Sequence, residues 1–419
     1  MLGNNAIQLV FTVLFAHLLG SNGYGSLTAI VAGFLIVLVS GQAVQVAAAR
    51  EVALGRLGEG HALAATLSKW TRTLLIATAV AVVIGALGRN VMASIFAVPK
   101  DAWGAGALVP TLPLWLLVSV QRGVLQGMRA YKPVGLSIIF EGTMRLACSL
   151  VMFEVGAGVS GAYFGTPLSF VIVSIVLAVV ARRRIGLAHK GPPGERLREL
   201  IVQARVPIIA LTPLAVLLNV DVILARRQLG HIHAGHYSAA AVSAKAVAFV
   251  AIGIALYVLP EATRRAAAGI EPRPVLFRAL GVLVVAATPA LLIFAFGGSL
   301  LLGTVFGSKL DHGSSYKEAA TALAVLGPAM ALIGASSVAV QYMLALGKLR
   351  FLWVLYVMAA IEPVVLTVGH FNVTSFAVVV LGIQSAAAAG LLLLAIRARP
   401  AIEFSAPALP EAPAAAPTG

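Results

Sequence analysis

Three basic side chains interrupt long apolar stretches of this sequence: Arg122, Arg145 and Lys245. Each could meet an anion. A guanidinium presents a planar fork that takes two phosphate oxygens at once, and an ammonium acts as a point charge. Glu141 stands four residues before Arg145, a spacing that sets both on one face of a helix. The pair either neutralises itself and ties its helix to a neighbour, or Arg145 meets a substrate phosphate while Glu141 tunes it. Lys245 has no acidic residue three or four positions away. Its counter-charge must come from a substrate or from another helix, where Asp221 and Glu362 are the candidates. Arg122, with Gln121 and Gln126 nearby, reads as a further substrate contact or as an anchor near the inner membrane face.

A second set has acceptor chemistry. Asn219 and Asp221 could bind a coupling cation or a sugar hydroxyl, or could cap a helix end beside Arg226. Glu362 is followed by Pro363, which frees a backbone carbonyl and kinks a helix. A buried carboxylate beside a kink could take and release a proton, or pair with Lys245. All of these positions matter because an ionised group at membrane depth costs about 2.5–3.5 kcal/mol on insertion scales and is retained for a reason. Catalytic sets are not visible: there is no phosphate-binding glycine loop, no zinc spacing and no Ser-His-Asp pattern, and no cofactor is implied. His231, His233 and His236 crowd one loop, but without an acidic companion in the sequence they predict no metal site.

The elements that hold these residues must lie in lipid. Of 419 residues 60% are hydrophobic and 11% charged, with a mean hydropathy of +0.98. A soluble domain is nearer 45–50% apolar and about 25% charged. In hydrocarbon every backbone polar group needs an internal partner, which leaves helices or a closed barrel. The apolar runs here are rich in Ala, Leu and Val and do not alternate, so the expected class is an all-α polytopic membrane protein. Spans are predicted at 4–20, 26–49, 71–96, 105–127, 132–153, 158–181, 203–225, 236–259, 275–302, 319–346, 351–370 and 374–396. Each approaches the ~20 residues that cross ~30 Å of hydrocarbon. Helix five then carries Glu141 and Arg145, with Arg145 roughly 20 Å deep by the helical rise. Lys245 falls mid-helix eight, Asp221 near the outer end of helix seven and Glu362 mid-helix eleven. The net charge of +15 belongs to loops rather than to a nucleic-acid surface, since no basic stretch is interleaved with aromatics. With both termini placed in the cytoplasm, lysine and arginine divide twenty-one inside to six outside, as the positive-inside rule requires. The single Cys148 excludes an internal disulfide.

The chain also repeats. Leu19-Gly20 is followed by Gly23-Tyr24, and Leu229-Gly230 by Gly235 and Tyr237. Arg50 with Gly55 matches Arg264 with Gly269 at almost the same offset. The organisation expected is a six-helix bundle over 1–181, a basic cytoplasmic linker over 182–202, a second six-helix bundle over 203–397, and a Pro/Ala-rich tail over 398–419 that lacks the means to pack. Parallel halves related by an axis along the membrane normal are a transporter pattern.

Several of these stretches resemble a known family. FAHLLGSNGYGSLTAI with Arg50 beyond it, the run from Asp221 to Gly230, Leu259-Pro260-Glu261 with Arg264, and Glu141, Arg145 and Gly158–Gly161 are similar to the polysaccharide and oligosaccharide-lipid flippases. These form the Wzx-like branch of the multidrug/oligosaccharidyl-lipid/polysaccharide (MOP) exporter superfamily. The resemblance implies a MATE-like, V-shaped transporter of two bundles related by pseudo-twofold symmetry, working by alternating access on a lipid-linked oligosaccharide in the inner (plasma) membrane. On that reading the chain is not an enzyme. Arg145, Lys245, Arg122 and Glu141 are the substrate-site candidates, and Arg145 and Lys245 are expected to face one water-filled cavity between the bundles. Asn219, Asp221 and Glu362 are the candidates for H+ or Na+ coupling. Membrane lipids and a polysaccharide polymerase are the partners to expect. A multidrug or cation antiporter of the same superfamily is the alternative, though it would prefer an acidic or aromatic cavity, and aromatics are 7% here. A membrane polymerase or ligase would need a large outer loop.

Overall fold

The computed structural model describes residues 2–58, 60–185, 197–307 and 315–398, and these are helical almost throughout, without a strand among them. In order they form α1 (Leu2–Ala53), α2 (His61–Leu87), α3 (Arg89–Ile95), α4 (Ala102–Gly106), α5 (Leu108–Gly127), α6 (Tyr131–Met152), α7 (Gly158–Ile185), α8 (Leu197–Gln203), α9 (Arg205–Gln228), α10 (His231–Ala267), α11 (Arg273–Phe296), α12 (Gly298–Phe306), α13 (Ser315–Ala345), α14 (Leu352–Val368) and α15 (Val373–Arg397). α1 is two spans joined at a kink. Among the described residues it makes twelve spans together with α2, α5, α6, α7, α9, α10, α11, α13, α14 and α15.

The expected helices are present, with boundaries moved for local reasons. The break predicted between the first two spans shrinks to Gly20, whose φ of 63° and ψ of −175° lie outside the helical region while its neighbours stay helical. Only a residue without Cβ adopts that conformation cheaply. The predicted span 71–96 ends early, at Leu87, and Gly88 turns the chain into the short α3. The span 275–302 is likewise cut at Gly297 into α11 and α12. α10 runs from His231 to Ala267, well beyond 236–259, so the three loop histidines stand instead on its first turns.

The internal repeat is visible in the backbone. Gly230, before α10, has φ 75° and ψ 178°, close to the values of Gly20, its counterpart 210 positions earlier. The far ends of the two helices match as well. Gly55 and Gly269 both have φ 70°. Each closes a Schellman cap: Gly55 N–H donates to Val52 O and Arg56 N–H to Glu51 O, while Gly269 N–H donates to Ala266 O and Ile270 N–H to Arg265 O.

The buried apolar side chains separate into two clusters. One is drawn from the chain between Phe15 and Ala204; the other is drawn from Ala210 onward and takes in Ala16, Tyr24 and Ala32 of α1. These are the cores of two six-helix bundles. Small residues let the helices approach: a Cβ on Gly123 or Gly127 of α5 would come within 2.5 or 2.6 Å of the α1 carbonyls of Gln45 and Ala49. Across the bundles, Thr28 donates to Ser238 at 2.9 Å. A Cβ on Gly25 would lie 3.1 Å from the Gly235 nitrogen. Each pair joins equivalent positions of the two halves, and equivalent atoms touch only where they straddle the symmetry axis. Of the expected linker 182–202, residues 182–185 continue α7, and 197–202 belong to α8, whose Leu200 is buried in the first cluster. The intervening positions, and the expected tail from 399 on, lie outside the described residues.

Candidate functional site

Two separate polar assemblies stand within the helices. In the first bundle α5 and α6 are joined through Arg122, which is only 3% exposed. Its Nε donates to Ser137 Oγ and its Nη2 to Ser137 O, both at 2.9 Å. Nη2 also lies 2.8 Å from Glu141 Oε2. Arg122 is thus buried against α6, and the carboxylate at ion-pair distance from it is Glu141, which the sequence had assigned to Arg145 and which also acts electrostatically on Arg145. A helical side chain leans back over the turn before its own Cα. Glu141 therefore leans toward Ser137, where Arg122 already sits.

Arg145, one turn further along α6, is left in a different situation. No carboxylate lies within ion-pair distance of it among the described residues, and its Nε is buried without a hydrogen-bond partner. Its guanidinium stacks 5.3 Å from the ring centroid of Phe11 in α1, and Phe11 in turn stacks on Phe15. An aromatic ring beneath one face of a guanidinium compensates part of its charge while leaving the N–H edges free to bind oxyanion oxygens in the plane.

The second assembly is enclosed in the second bundle. Lys245 of α10 is 4% exposed, and its Nζ donates to Asn219 Oδ1 of α9 at 3.0 Å. Asp221 and Glu362 are fully buried and act electrostatically on Lys245. Tyr237 donates to Asp221 Oδ2 at 2.7 Å, and Asp221 Oδ1 is buried without a protein partner. Gln384 of α15 donates from Nε2 to Leu217 O at 3.0 Å and reaches Glu362 Oε2 at 3.3 Å. The three coupling-ion candidates, Asn219, Asp221 and Glu362, thus come together as four helices converge. They also enclose Lys245. Lys245 turns into the core of the second bundle, while Arg145 packs on Phe11 of α1. Asp221 does not cap a helix end beside Arg226.

Tyr237 and Gln384 are functional candidates that residue type alone did not single out. Gln384 could have been noticed as a lone amide within an otherwise apolar run of α15. Arg226 was also underrated. At the end of α9 its Nη2 donates to Asn22 Oδ1 of α1 at 2.7 Å and its Nη1 to His231 O at 3.1 Å. It latches the second bundle to the first on the face that carries Gly20 and Gly230. On the opposite face Glu261 accepts from Arg264 and Arg265.

Comparison with known proteins bears on what such a molecule does. A family model described as "Polysaccharide biosynthesis protein" matches residues 1–260. No curated relative matches the sequence. Among solved structures, an inward-facing multidrug resistance MATE family transporter of the MOP superfamily is 12% identical, with a TM-score of 0.72 over 94% of each chain. The lipid II flippase MurJ, in an inward closed conformation, is 12% identical with a TM-score of 0.70, over 93% of this chain and 85% of its own. A MOP superfamily transporter from Pyrococcus furiosus is 16% identical with a TM-score of 0.56, over 94% of this chain and 93% of its own. These likenesses establish the fold, a multi-pass membrane protein built as MOP transporters are.

Proposed function

Since the chain belongs to the polysaccharide biosynthesis protein family, we propose that it is a flippase which carries a polyprenyl-diphosphate-linked oligosaccharide across the inner membrane by alternating access. One observation supports this reading: Arg145 is a guanidinium within the apolar span α6, with no carboxylate at ion-pair distance among the described residues, and it is backed by the Phe11 ring. Leaving a cation so placed is costly in hydrocarbon, and a diphosphate that arrives and departs would repay that cost only while bound. Arg122 and Glu141 then act as the strut that holds α6 at this angle rather than as substrate contacts. The polyprenyl tail stays in lipid while the headgroup passes. The positive-inside bias supports cytoplasmic termini, which makes the Gly20/Gly230 face the outer one.

The Asn219, Asp221, Lys245 and Glu362 cluster is the coupling site on this reading. Two carboxylates face one ammonium, so a proton or a Na+ brings the cluster to neutrality. Electrostatic neutrality is the condition for a buried polar group to move without a large penalty. The antiporter alternative wants a cavity that attracts cations, and a guanidinium lacking an ion pair repels them.

The experiment is translocation in proteoliposomes at matched protein levels. Arg145→Gln should lower the initial rate for a polyprenyl-diphosphate oligosaccharide by at least tenfold, and Arg145→Lys should retain an intermediate rate. Neither should affect efflux of a cationic dye, for which wild type should have no activity. Full lipid transport by Arg145→Gln, or dye efflux by the wild type, would overturn the proposal.

A further inference from the structure

The three histidines near the start of α10 lacked an acidic neighbour in the sequence, and the fold supplies one. Glu318, in the first turn of α13, brings Oε2 to 3.0 Å from His233 Nδ1. His236, one turn beyond His233, stacks at right angles to it with ring centroids 6.1 Å apart. One donor atom from each of His233, His236 and Glu318 falls within 4.8 Å of the others. We propose that these three residues form a binding site for a divalent transition metal ion of the Zn2+ class on the Gly20/Gly230 face.

The donor set argues for that class. Two imidazoles and one carboxylate suit Zn2+, Ni2+ or Cu2+, whereas Mg2+ and Ca2+ want oxygen throughout. Three protein donors leave a fourth position for water, the ligand number of an open zinc site. The donors need to close by about an ångström or so to reach Zn–N and Zn–O distances near 2.0–2.2 Å. His233 and Glu318 can do this, because both are on the accessible side, 57% and 31% exposed, while His236 at 3% is held by its surroundings. The rigid buried imidazole and two adjustable outer ligands make a site that an ion can enter from the surface.

Its position gives the ion a mechanical consequence. His233 and His236 bracket Gly235, where a Cβ would run into the Ser21 carbonyl of α1. A bound ion would staple α10 to α13 within the second bundle and stiffen the turn that packs against the first. Metal occupancy would therefore favour the state in which this face is closed.

The test uses the full chain, untagged, in lipid nanodiscs, with Zn2+ as the probe and Mg2+ as the control. Isothermal titration should show saturable binding of one Zn2+ per chain and no heat from Mg2+. His233→Ala and Glu318→Gln should each weaken binding by roughly tenfold or more, with unfolding profiles in the absence of metal that match the wild type. Both positions are accessible, so a loss of fold does not confound them. His231→Ala should bind as the wild type does. Absence of saturable Zn2+ binding, or binding by His233→Ala and Glu318→Gln with the wild-type affinity, would overturn the site.

Discussion

Thr28 and Ser238 donate and accept one hydrogen bond at 2.9 Å across the bundle boundary, and they stand 210 residues apart, the offset that also separates Gly20 from Gly230. The contact is therefore a meeting of equivalent positions at the pseudo-twofold axis. With Arg226 bonded to Asn22 close by, it closes the molecule on one face.

Alternating access requires this closure to open. Thr28→Cys with Ser238→Cys, in a Cys148→Ser background, places two thiols where two hydroxyl oxygens now touch. Oxidation should give an internal cross-link, seen as loss of maleimide labelling, and should abolish transport; reductant should restore it. Transport that continues at the wild-type rate through a complete cross-link would show that this face does not open in the cycle.

The Arg122–Glu141 pair is a second place where geometry predicts a measurable effect. Breaking a buried pair leaves one charge stranded, at a cost of about 3–5 kcal/mol, whereas removing both partners is often close to neutral. Arg122→Gln and Glu141→Gln should each lower the unfolding temperature sharply in detergent, and the double variant should recover most of the loss. Arg122 also holds Ser137, so its single variant should be the worse of the two. Additive losses in the double variant would show that the pair does not act as a unit.

How much of this was legible in the residues depends on the scale of the physics. Span number and bundle pairing follow from apolar run length and from glycines at matching offsets, Gly20 with Gly230 and Gly55 with Gly269, because those are properties of the local chain. The choice of partner for Glu141 was not legible. Spacing pointed to Arg145 alone, and only the approach of α5 to α6 brings the Arg122 guanidinium to Glu141. The same holds for Lys245. The sequence showed that it needed a partner and named Asp221 and Glu362, but Asn219 is the residue it touches. Glu318, 85 positions from His233, has no local signature that ties it to a histidine.

The cluster around Lys245 permits the sharpest test of energy coupling. Asp221 and Glu362 bring two carboxylates to one ammonium in a closed interior. An additional cation is required for neutrality, and the helices that surround it, α9, α10, α14 and α15, cannot rearrange freely while a net charge is enclosed. Glu362→Gln removes one carboxylate and leaves the shape of the site and the Gln384 contact region nearly intact. The cluster is then neutral without a further ion. Its transport should therefore be independent of any imposed gradient, whereas the wild type should be accelerated severalfold by a proton or a Na+ gradient, and the ion that accelerates it identifies the coupling species. Lys245→Met should have the opposite effect, stranding two carboxylates and losing both stability and transport. Pairing it with Asp221→Asn removes one of those carboxylates and should recover the fold. Initial rates in proteoliposomes with and without each gradient supply the measurement. If the wild type responds to neither gradient, or if Glu362→Gln responds as strongly as the wild type, the cluster is a structural network and the coupling role is wrong.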